Sequence, residues 1–578
     1  MVNAAWFNNY EPNVPHTLTY PDVPLQHLLE DTARRYPNHT ATKLVLKYLL
    51  GGRVTVGGTL TYRQLNEYAD RFAAALVGMG VKPGDRVGVM LPNSPQFVIA
   101  FFGALKAGAV VVNINPTYTP HELEHQINDS GAETILLLNL FYNRLREVRA
   151  RTPIRNVIVT HIFDLLPRPF KLLVRKAQKK EPDWVDVQPS SDVHLLEDAL
   201  KTSLSGAPKQ AVARPDDVAL FQYTGGTTGT PKAAMLTHRN LVANTLQVVA
   251  FLPSAEPGNE RIMAAIPFFH VYGMTAAMNF AIYLGGQLVI VPNPRPIDNV
   301  MRVIAKERTT IFPGVPAMYN GIINHPAAKT LDLSSIKVCI SGSAALPMEV
   351  QEKFGKLTGG RLVEGYGLTE TAPVTHCNPV YGNPRSGSIG LPVPDVEARI
   401  INPDTGFPVP WGSDEVGELV VRGPNVMKGY WNRPEETAST IDEDGWLHTG
   451  DIARMDEDGF FFIVDRKKDM INASGYKVLP REVEEVLFSH PQVLEAAVAG
   501  VPDSYRGETV KAFVVAKPGM SPTADELIAY CRAQLAPYKV PRQIEFRDEL
   551  PKTQVGKVLR RVLVDEHVKA QQGAVAAK

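Results

Sequence analysis

The pattern of this chain breaks twice, near Asp395 and at the five consecutive charges of residues 465–469, and those breaks limit what it can fold into. Before the first break, a buried-strand run at 86–91, an apolar stretch at 97–105 and a second run at 109–113 read as strand, helix, strand. That rhythm predicts parallel α/β structure, and it returns at 218–223, 299–312 and 336–340. Thr61 is placed to cap a helix carrying Leu65, Tyr68, Phe72 and Leu76 on one face, with Gly80 as its stop. Past Asp395, the turns Asp404-Thr-Gly, Asp444-Gly and Asp458-Gly separate short runs at 417–422 and 459–464, which predicts antiparallel sheet. Beyond the charge run the pattern is small α+β. Pro480 opens a helix with Val483, Val486 and Leu487, strands follow near Val498 and Val514, and Thr523 with Glu526 forms a capping box before Leu527, Tyr530 and Leu535. The expected architecture is α/β. Residues 1–464 form a large N-terminal domain, parallel α/β layers to about 395 and an antiparallel β part at 396–464; 465–470 are a hinge linker; 471–578 are a small, mobile α+β lid. Spacing alone also allows the charge run to be a solvated hairpin.

At 578 residues the chain can bury the large core typical of enzymes. Sixty Lys+Arg against sixty Asp+Glu give no net charge, so bulk electrostatics offers no reason to expect nucleic acid as a partner. Cys339, Cys377 and Cys531 are odd in number and far apart; they fit neither a disulfide framework nor a zinc pattern, and read as small core residues in a reducing compartment. The N-terminal fifteen residues lack the basic start and apolar stretch of a signal peptide. No run reaches the roughly 20 apolar residues of a membrane span. The expected location is the cytoplasm. Residues 161–180 carry six Lys/Arg against one Asp among Ile162, Phe163, Leu165, Leu166, Phe170, Leu172, Leu173 and Val174. This is either a plain surface insertion or a peripheral contact with anionic lipid on the inner face of a membrane, and Pro167 and Pro169 are expected to interrupt any helix there.

The loudest chemical signal is YTGGTTGTPK at 223–232, directly after a strand. Glycines let backbone N–H groups approach a phosphate, and threonines and a lysine add donors. It is not a Walker A loop, because Pro231-Lys232-Ala233 stands where Gly-Lys-Ser/Thr is needed. EGYGLTE at 364–370 puts an aromatic, a hydroxyl and a carboxylate in what reads as one short loop: a surface for a base, a phosphate donor and a Mg²⁺ ligand. WLHTGD at 446–451 offers a carboxylate for two ribose hydroxyls, although Asp451 taken alone reads as a turn residue.

Together these motifs resemble the adenylate-forming superfamily of acyl-CoA synthetases, luciferases and peptide-synthetase adenylation domains. YTGGTTGTPK, EGYGLTE, HTGD, DRKKDMINASGYK and PKTQVGK stand in that family's order and spacing, and the likeness runs from about residue 25 to about 565. DGWLHTGDIARMDEDGFFFIVDRKK, IPFFHVYGM, GSIGLPVP and GYWNRPEET are similar to fatty acyl-CoA synthetases, bacterial long-chain fatty acid–CoA ligases above all. The resemblance implies ATP and CoA as co-substrates, Mg²⁺ as cofactor and two half-reactions in one site: a fatty acid and ATP give acyl-AMP and pyrophosphate, and CoA then displaces AMP. It assigns Thr224, Gly225, Gly226, Thr227, Thr228, Gly229 and Lys232 to the phosphates, and Thr224 and Glu370 to the metal. Gly342, Ser343 and Ala344, with Glu364, Gly365, Tyr366 and Gly367, would hold AMP, Tyr366 stacking on adenine and Thr369 meeting the α-phosphate. Asp451 would take the ribose hydroxyls, with Arg466 beside it.

By the same resemblance Lys557 bridges carboxylate and α-phosphate during adenylation, Lys468 is the hinge pivot, and Gly475, Tyr476 and Lys477 meet CoA in the second step. His270, Lys557 and Glu370 are the catalytic set, and Phe269, Tyr272 and Met274 line the acyl channel. His270 taken alone is as readily a packed core histidine, and Lys557 a solvated tail lysine. Met274 replaces a gating Trp of some relatives, and Asn472 a Lys. Competing functions are an aryl- or coumarate-type CoA ligase, a ligase to an acyl carrier protein, a luciferase and a non-catalytic nucleotide or fatty-acid binder. Chain length and oligomeric state stay open, a homodimer included.

Overall fold

The computed structural model describes residues 5–204, 213–224, 231–413, 415–466, 469–473, 476–503, 507–553 and 556–576, and the side chains of Arg466, Asn472, Tyr476 and Lys477 are outside that description. Among the described residues the strands form four sheets.

The first runs Gly429–Tyr430, Ala233–Thr237, Val218–Tyr223, Val110–Asn113, Arg86–Met90, Thr134–Leu138, Asn156–Thr160, Val193–Leu195. From Val218–Tyr223 onward its neighbours are parallel. The second is parallel from Thr40–Leu49 through Gln287–Ile290, Arg261–Ala264, Ile311–Gly314 and Val338–Ser341 to Arg361–Gly367, with antiparallel strands at both edges. The third is the antiparallel set Glu397–Ile401, Gly417–Arg422, Leu447–Met455 and Phe461–Arg466. The α/β and antiparallel β layers are therefore as the sequence pattern expects.

Between the two large sheets lies the helix Pro95–Lys106, whose twelve residues are all buried. A helix apolar all round belongs in a core, and Phe97, Phe101 and Phe102 each contribute roughly 1.5–3 kcal/mol by leaving water. Lys106 ends it, 2% exposed, and its ammonium is matched by Asp70 Oδ1 at 2.5 Å, Asn66 Oδ1 at 2.9 Å and Glu30 Oε1 at 3.2 Å. Removing both carboxylates would strand a buried charge. The helix Tyr62–Gly78 starts in a capping box on Thr61. Asp395, at the first break in pattern, accepts hydrogen bonds from Thr17 Oγ1, the Leu18 N–H and the Tyr20 hydroxyl at 2.5, 2.8 and 2.7 Å, so the N-terminal segment straps the α/β layers to the β part.

The fourth sheet joins Tyr476–Val478, Ile471–Ala473, Gly507–Ala516, Val493–Asp503 and Gln543–Phe546. It has apolar clusters of its own, around Val483, Leu487, Val498, Val514 and Leu527 and around Phe513, Leu550 and Leu563. All three cysteines are free and buried.

One expectation needs correction. Pro167 and Pro169 do not interrupt a helix; they begin one, Arg168–Gln178. Proline is tolerated in the first turn, where its missing N–H has no intrahelical partner anyway. Phe170 and Val174 pack inward, while Leu172 and Leu173 are 67% and 48% exposed. No described helix is long and apolar enough to cross a membrane.

Candidate active site

Thr224, Gly342 to Ala344 and Glu364 to Gly367 lie at or just past the carboxyl ends of strands in the two large sheets, where open α/β sheets place their ligands. Tyr223 closes one strand and pairs with Ala233 across the turn. The Thr224 N–H donates to the Lys232 carbonyl at 2.9 Å, closing the base of the glycine-rich loop. Gly225, Gly226, Thr227, Thr228 and Gly229 lie outside the described residues. The ammonium of Lys232 is 5.2 Å from the centroid of the Tyr430 ring and 4.0 Å from Glu436 Oε1.

In the second sheet Gly314, Ser341 and Glu364 stand side by side in register, so the turns that follow converge. EGYGLTE is not one loop: Glu364 to Gly367 belong to the strand Arg361–Gly367, and only Thr369–Thr371 forms a 3₁₀ turn. Sheet pairing with Val374–Cys377 outweighs the turn signal of its glycines. A Cβ at Gly367 would lie 1.9 Å from the Pro373 carbonyl oxygen, so only glycine fits there. Gly342 faces Tyr272, to whose ring a Cβ would come within 3.0 Å, and Ser343 beside it takes a left-handed φ of 69°. Gly365, Ala344 and Thr369 are half-buried around it.

Tyr366, next to last in this strand, has its hydroxyl donating to Asp451 Oδ2 at 2.5 Å. Asp451 is no turn residue. It sits mid-strand in Leu447–Met455, 2% exposed and opposite Arg466 in register. Glu364 is buried and accepts the Leu346 N–H at 3.1 Å. Burial pushes its carboxyl up to about 7, against the opposing charge of Arg481. Glu370 accepts a hydrogen bond from the Tyr430 hydroxyl at 2.7 Å on Oε1, and its carbonyl accepts the Met427 N–H at 2.8 Å.

The acyl-channel candidates form one turn. His270 Nδ1 accepts the Tyr272 N–H at 3.3 Å, capping Val271–Gly273, and the π-helix Met274–Asn279 follows directly. Single π turns recur at functional sites because the extra residue re-aims side chains. The Tyr272 hydroxyl donates to the Ile340 carbonyl at 2.7 Å, and Met274 is fully buried. The Phe269 carbonyl accepts from Gln222 Nε2 at 3.0 Å, and Gln222 in turn accepts from Asn113 Nδ2 at 3.0 Å. Sequence reading passed over Gln222, Asn113 and Tyr430. Tyr430 lies in the GYWNRPEET motif; the other two are polar residues inside strand runs, with no local signal.

Lys557 reaches this place from the far end of the chain. Its turn is held by the Thr553 N–H on the Lys557 carbonyl at 2.8 Å and the Lys557 N–H on Thr553 Oγ1 at 3.1 Å. Gly556, at φ 77°, rests against Val315, which packs with Tyr272, Ile266 and Ala276. Burial pushes the His270 ring down to about 4, and the charge of Lys557 adds to that, so the imidazole is neutral at pH 7. A cavity of about 330 Å³ behind the turn is lined by Lys557, Asp469, Arg560 and Arg561 among others. Lys468 and Gly475 lie outside the described residues; the backbone of Tyr476 and Lys477 pairs with Ile471–Ala473.

For a metal, no group of three or more His, Cys, Asp or Glu forms among the described residues. Mg²⁺ is commonly held by one or two carboxylates plus water and substrate phosphates. Glu370, one oxygen committed to Tyr430, and Thr224 at the loop base fit an ion that arrives on a triphosphate.

The comparisons agree with this geometry. The model of the AMP-binding enzyme family matches residues 29–431, and that of the AMP-binding enzyme C-terminal domain matches 482–557. The chain is 47% identical over 565 residues to a long-chain-fatty-acid–CoA ligase of Bacillus subtilis, covering 97% of this chain and 98% of that one. Among solved structures, ATP-bound MatB from Rhodopseudomonas palustris superposes with a TM-score of 0.81 at 30% identity, covering 95% of this chain and 99% of that chain. The anthranilate CoA ligase AuaEII in complex with anthranoyl-AMP gives 0.82 at 28%, covering 96% and 99%. With its strand-end site, its glycine-rich loop and both family models matched in order, the chain belongs to the AMP-binding enzyme family.

Proposed function

We propose that this protein is an AMP-forming long-chain fatty acid–CoA ligase. In the first half-reaction a carboxylate oxygen of the fatty acid attacks the α-phosphorus of ATP. The bond to the β-phosphate oxygen breaks and pyrophosphate leaves with the electron pair. In the second, the CoA sulfur attacks the acyl carbon, the bond to AMP breaks and the thiol proton passes to solvent. Hydroxide is a poor leaving group and AMP a good one, which is why activation precedes transfer.

Thr224 and Lys232 take the β- and γ-phosphates, Asp451 the ribose, Tyr366 the adenine and Thr369 the α-phosphate. Glu370 and Thr224 hold Mg²⁺, which neutralises phosphate charge when bound. Lys557 supplies a cation between carboxylate and α-phosphate, and neutral His270 accepts or donates hydrogen bonds without adding charge. Tyr272, Phe269 and Met274 wall the acyl chain. Residues 465–470 are the hinge between an N-terminal part, 1–464, and a C-terminal part, 471–578. Lys468 is its pivot, and turning there exchanges Lys557 for Gly475, Tyr476 and Lys477 at the site. The partner surface is peripheral: Leu172 and Leu173 with the basic residues around them contact anionic lipid.

The carrying observation is the Gly556–Lys557 turn resting against Val315, which packs with Tyr272. The long-chain substrate is favoured by the 47% identity to a ligase of that name over 97% of the chain, against 38% over 506 residues to a feruloyl-CoA synthase of Amycolatopsis. The test is AMP and thioester formation with acids from about six to about eighteen carbons, plus an aryl acid and an acyl carrier protein as rival acceptor. Turnover that rises toward the long acids with CoA is expected; preference for the aryl acid or the carrier protein would replace this function with a rival.

A further inference from the structure

One tyrosine touches both a lysine assigned to the phosphates and the carboxylate assigned to the metal. Tyr430 belongs to the two-residue strand Gly429–Tyr430, which pairs antiparallel with Ala233–Thr237, Tyr430 opposite Ala234. That register lays its ring next to Lys232, whose ammonium is 5.2 Å from the ring centroid. The hydroxyl at the other end of the ring donates to Glu370 Oε1 at 2.7 Å.

The backbone holds the ring from both sides. The Tyr430 N–H donates to Thr437 Oγ1 at 2.9 Å, and the Met427 N–H to the Glu370 carbonyl at 2.8 Å. The helix Pro434–Thr440 that carries Thr437 also carries Glu436, 4.0 Å from the Lys232 ammonium.

We propose that Tyr430 is a positioning residue that sets the metal carboxylate Glu370 and the phosphate lysine Lys232 against one ring, with Glu436 holding Lys232 until a nucleotide triphosphate displaces it. A neutral donor on one carboxylate oxygen fixes the direction of the other, as groups behind a metal ligand commonly do. The ring face attracts the ammonium without neutralising it. Lys232 and Glu436 are each more than a third exposed, so their ion pair is weak and readily exchanged for phosphate. The proposal rests on the assignment of Glu370 to the metal and Lys232 to phosphate.

The test uses the full chain without fatty acid or CoA. Mn²⁺ binding in the presence of ATP is followed by electron paramagnetic resonance, and ATP binding in EDTA by calorimetry. Tyr430→Phe keeps the ring and loses the hydroxyl; it should weaken Mn²⁺ binding roughly 10-fold or more and leave metal-free ATP binding unchanged. Tyr430→Leu should weaken both. Glu436→Gln should tighten metal-free ATP binding up to about fivefold, the upper worth of an exposed ion pair. Glu370→Gln is the reference. If it weakens Mn²⁺ binding and Tyr430→Phe does not, the tyrosine proposal fails and the metal assignment stands. If neither variant changes Mn²⁺ binding, the metal assignment fails and takes the proposal with it. Glu436→Gln leaving metal-free ATP binding unchanged overturns the lysine half.

Discussion

Gly556 rests against Val315, so the turn that carries Lys557 lies beside the Tyr272 wall, where burial first and the charge of Lys557 second lower the His270 pKa. Lys557→Ala should therefore do two things. It should slow adenylation by about 10²-fold or more, the usual cost of a donor aimed at developing charge, and spare thioester formation from supplied acyl-AMP. It should also raise the His270 pKa from about 4 toward its ordinary 6.5, stopping short because burial is the larger cause. Half-reaction assays and an NMR titration of His270 check both. Equal loss in the two half-reactions with an unmoved histidine would make Lys557 structural.

Glu370→Gln should weaken Mg²⁺-dependent pyrophosphate exchange, because an amide oxygen is a poorer ligand for a hard cation than a carboxylate. The Tyr430 hydroxyl can still donate to the amide oxygen, so folding should hold. Exchange measured across a Mg²⁺ titration should reach half-saturation at a higher concentration; an unchanged curve removes Glu370 from the metal site.

If the chain turns at residues 465–470, the turn breaks two hydrogen bonds of the observed arrangement. The Arg481 N–H donates to Asp465 Oδ2 at 3.0 Å and its guanidinium to the Ile463 carbonyl at 2.8 Å, and both bonds join the helix Pro480–Phe488 to the strand Phe461–Arg466. Lys468→Pro, with φ held near −65°, should keep acyl-AMP formation and abolish most thioester formation. Arg481→Ala should do the reverse, slowing adenylation first. Stopped-flow pyrophosphate release beside thioester yield from acyl-AMP separates the two; wild-type rates for both steps in both folded variants would end the hinge assignment.

Glu364 should make stability depend on pH. Its carboxyl is raised by burial from 4.5 to about 7, so the folded chain holds a proton that the unfolded chain releases. Its contribution is present below about pH 4.5, falls as pH rises through about 7 and is level above that. Glu364→Gln removes this fall and should exceed wild type at pH 8 by on the order of 3 kcal/mol, with much less difference at pH 5. Urea unfolding at the two pH values measures it. An equal difference at both would mean an ordinary carboxylate.

The helix Arg168–Gln178 should bind anionic vesicles in a salt-sensitive way, since attraction between exposed charges is screened beyond about 10 Å at 0.1 M salt. Replacing Arg175, Lys176, Lys179 and Lys180 by Gln should reduce co-sedimentation, and Leu172→Ser with Leu173→Ser should reduce what remains at high salt. Equal sedimentation of wild type and both variants would remove the lipid contact.

The local elements were legible in the residues. Thr61 and Thr523 cap the helices their capping boxes announce, and Asp-Gly turns separate the antiparallel strands, because capping and periodicity are properties of a few neighbouring residues. Tertiary structure alone decided the rest. A turn signal made EGYGLTE a loop until pairing with Val374–Cys377 made half of it a strand, and two prolines seemed to forbid the helix they begin. Nothing near Tyr430 says that its hydroxyl will meet Glu370 and its ring Lys232, and nothing near Arg481 says that it will close on Asp465. Those contacts join residues on different elements, 60 positions apart for Tyr430 and Glu370 and 16 for Arg481 and Asp465, and they exist only where the elements pack together.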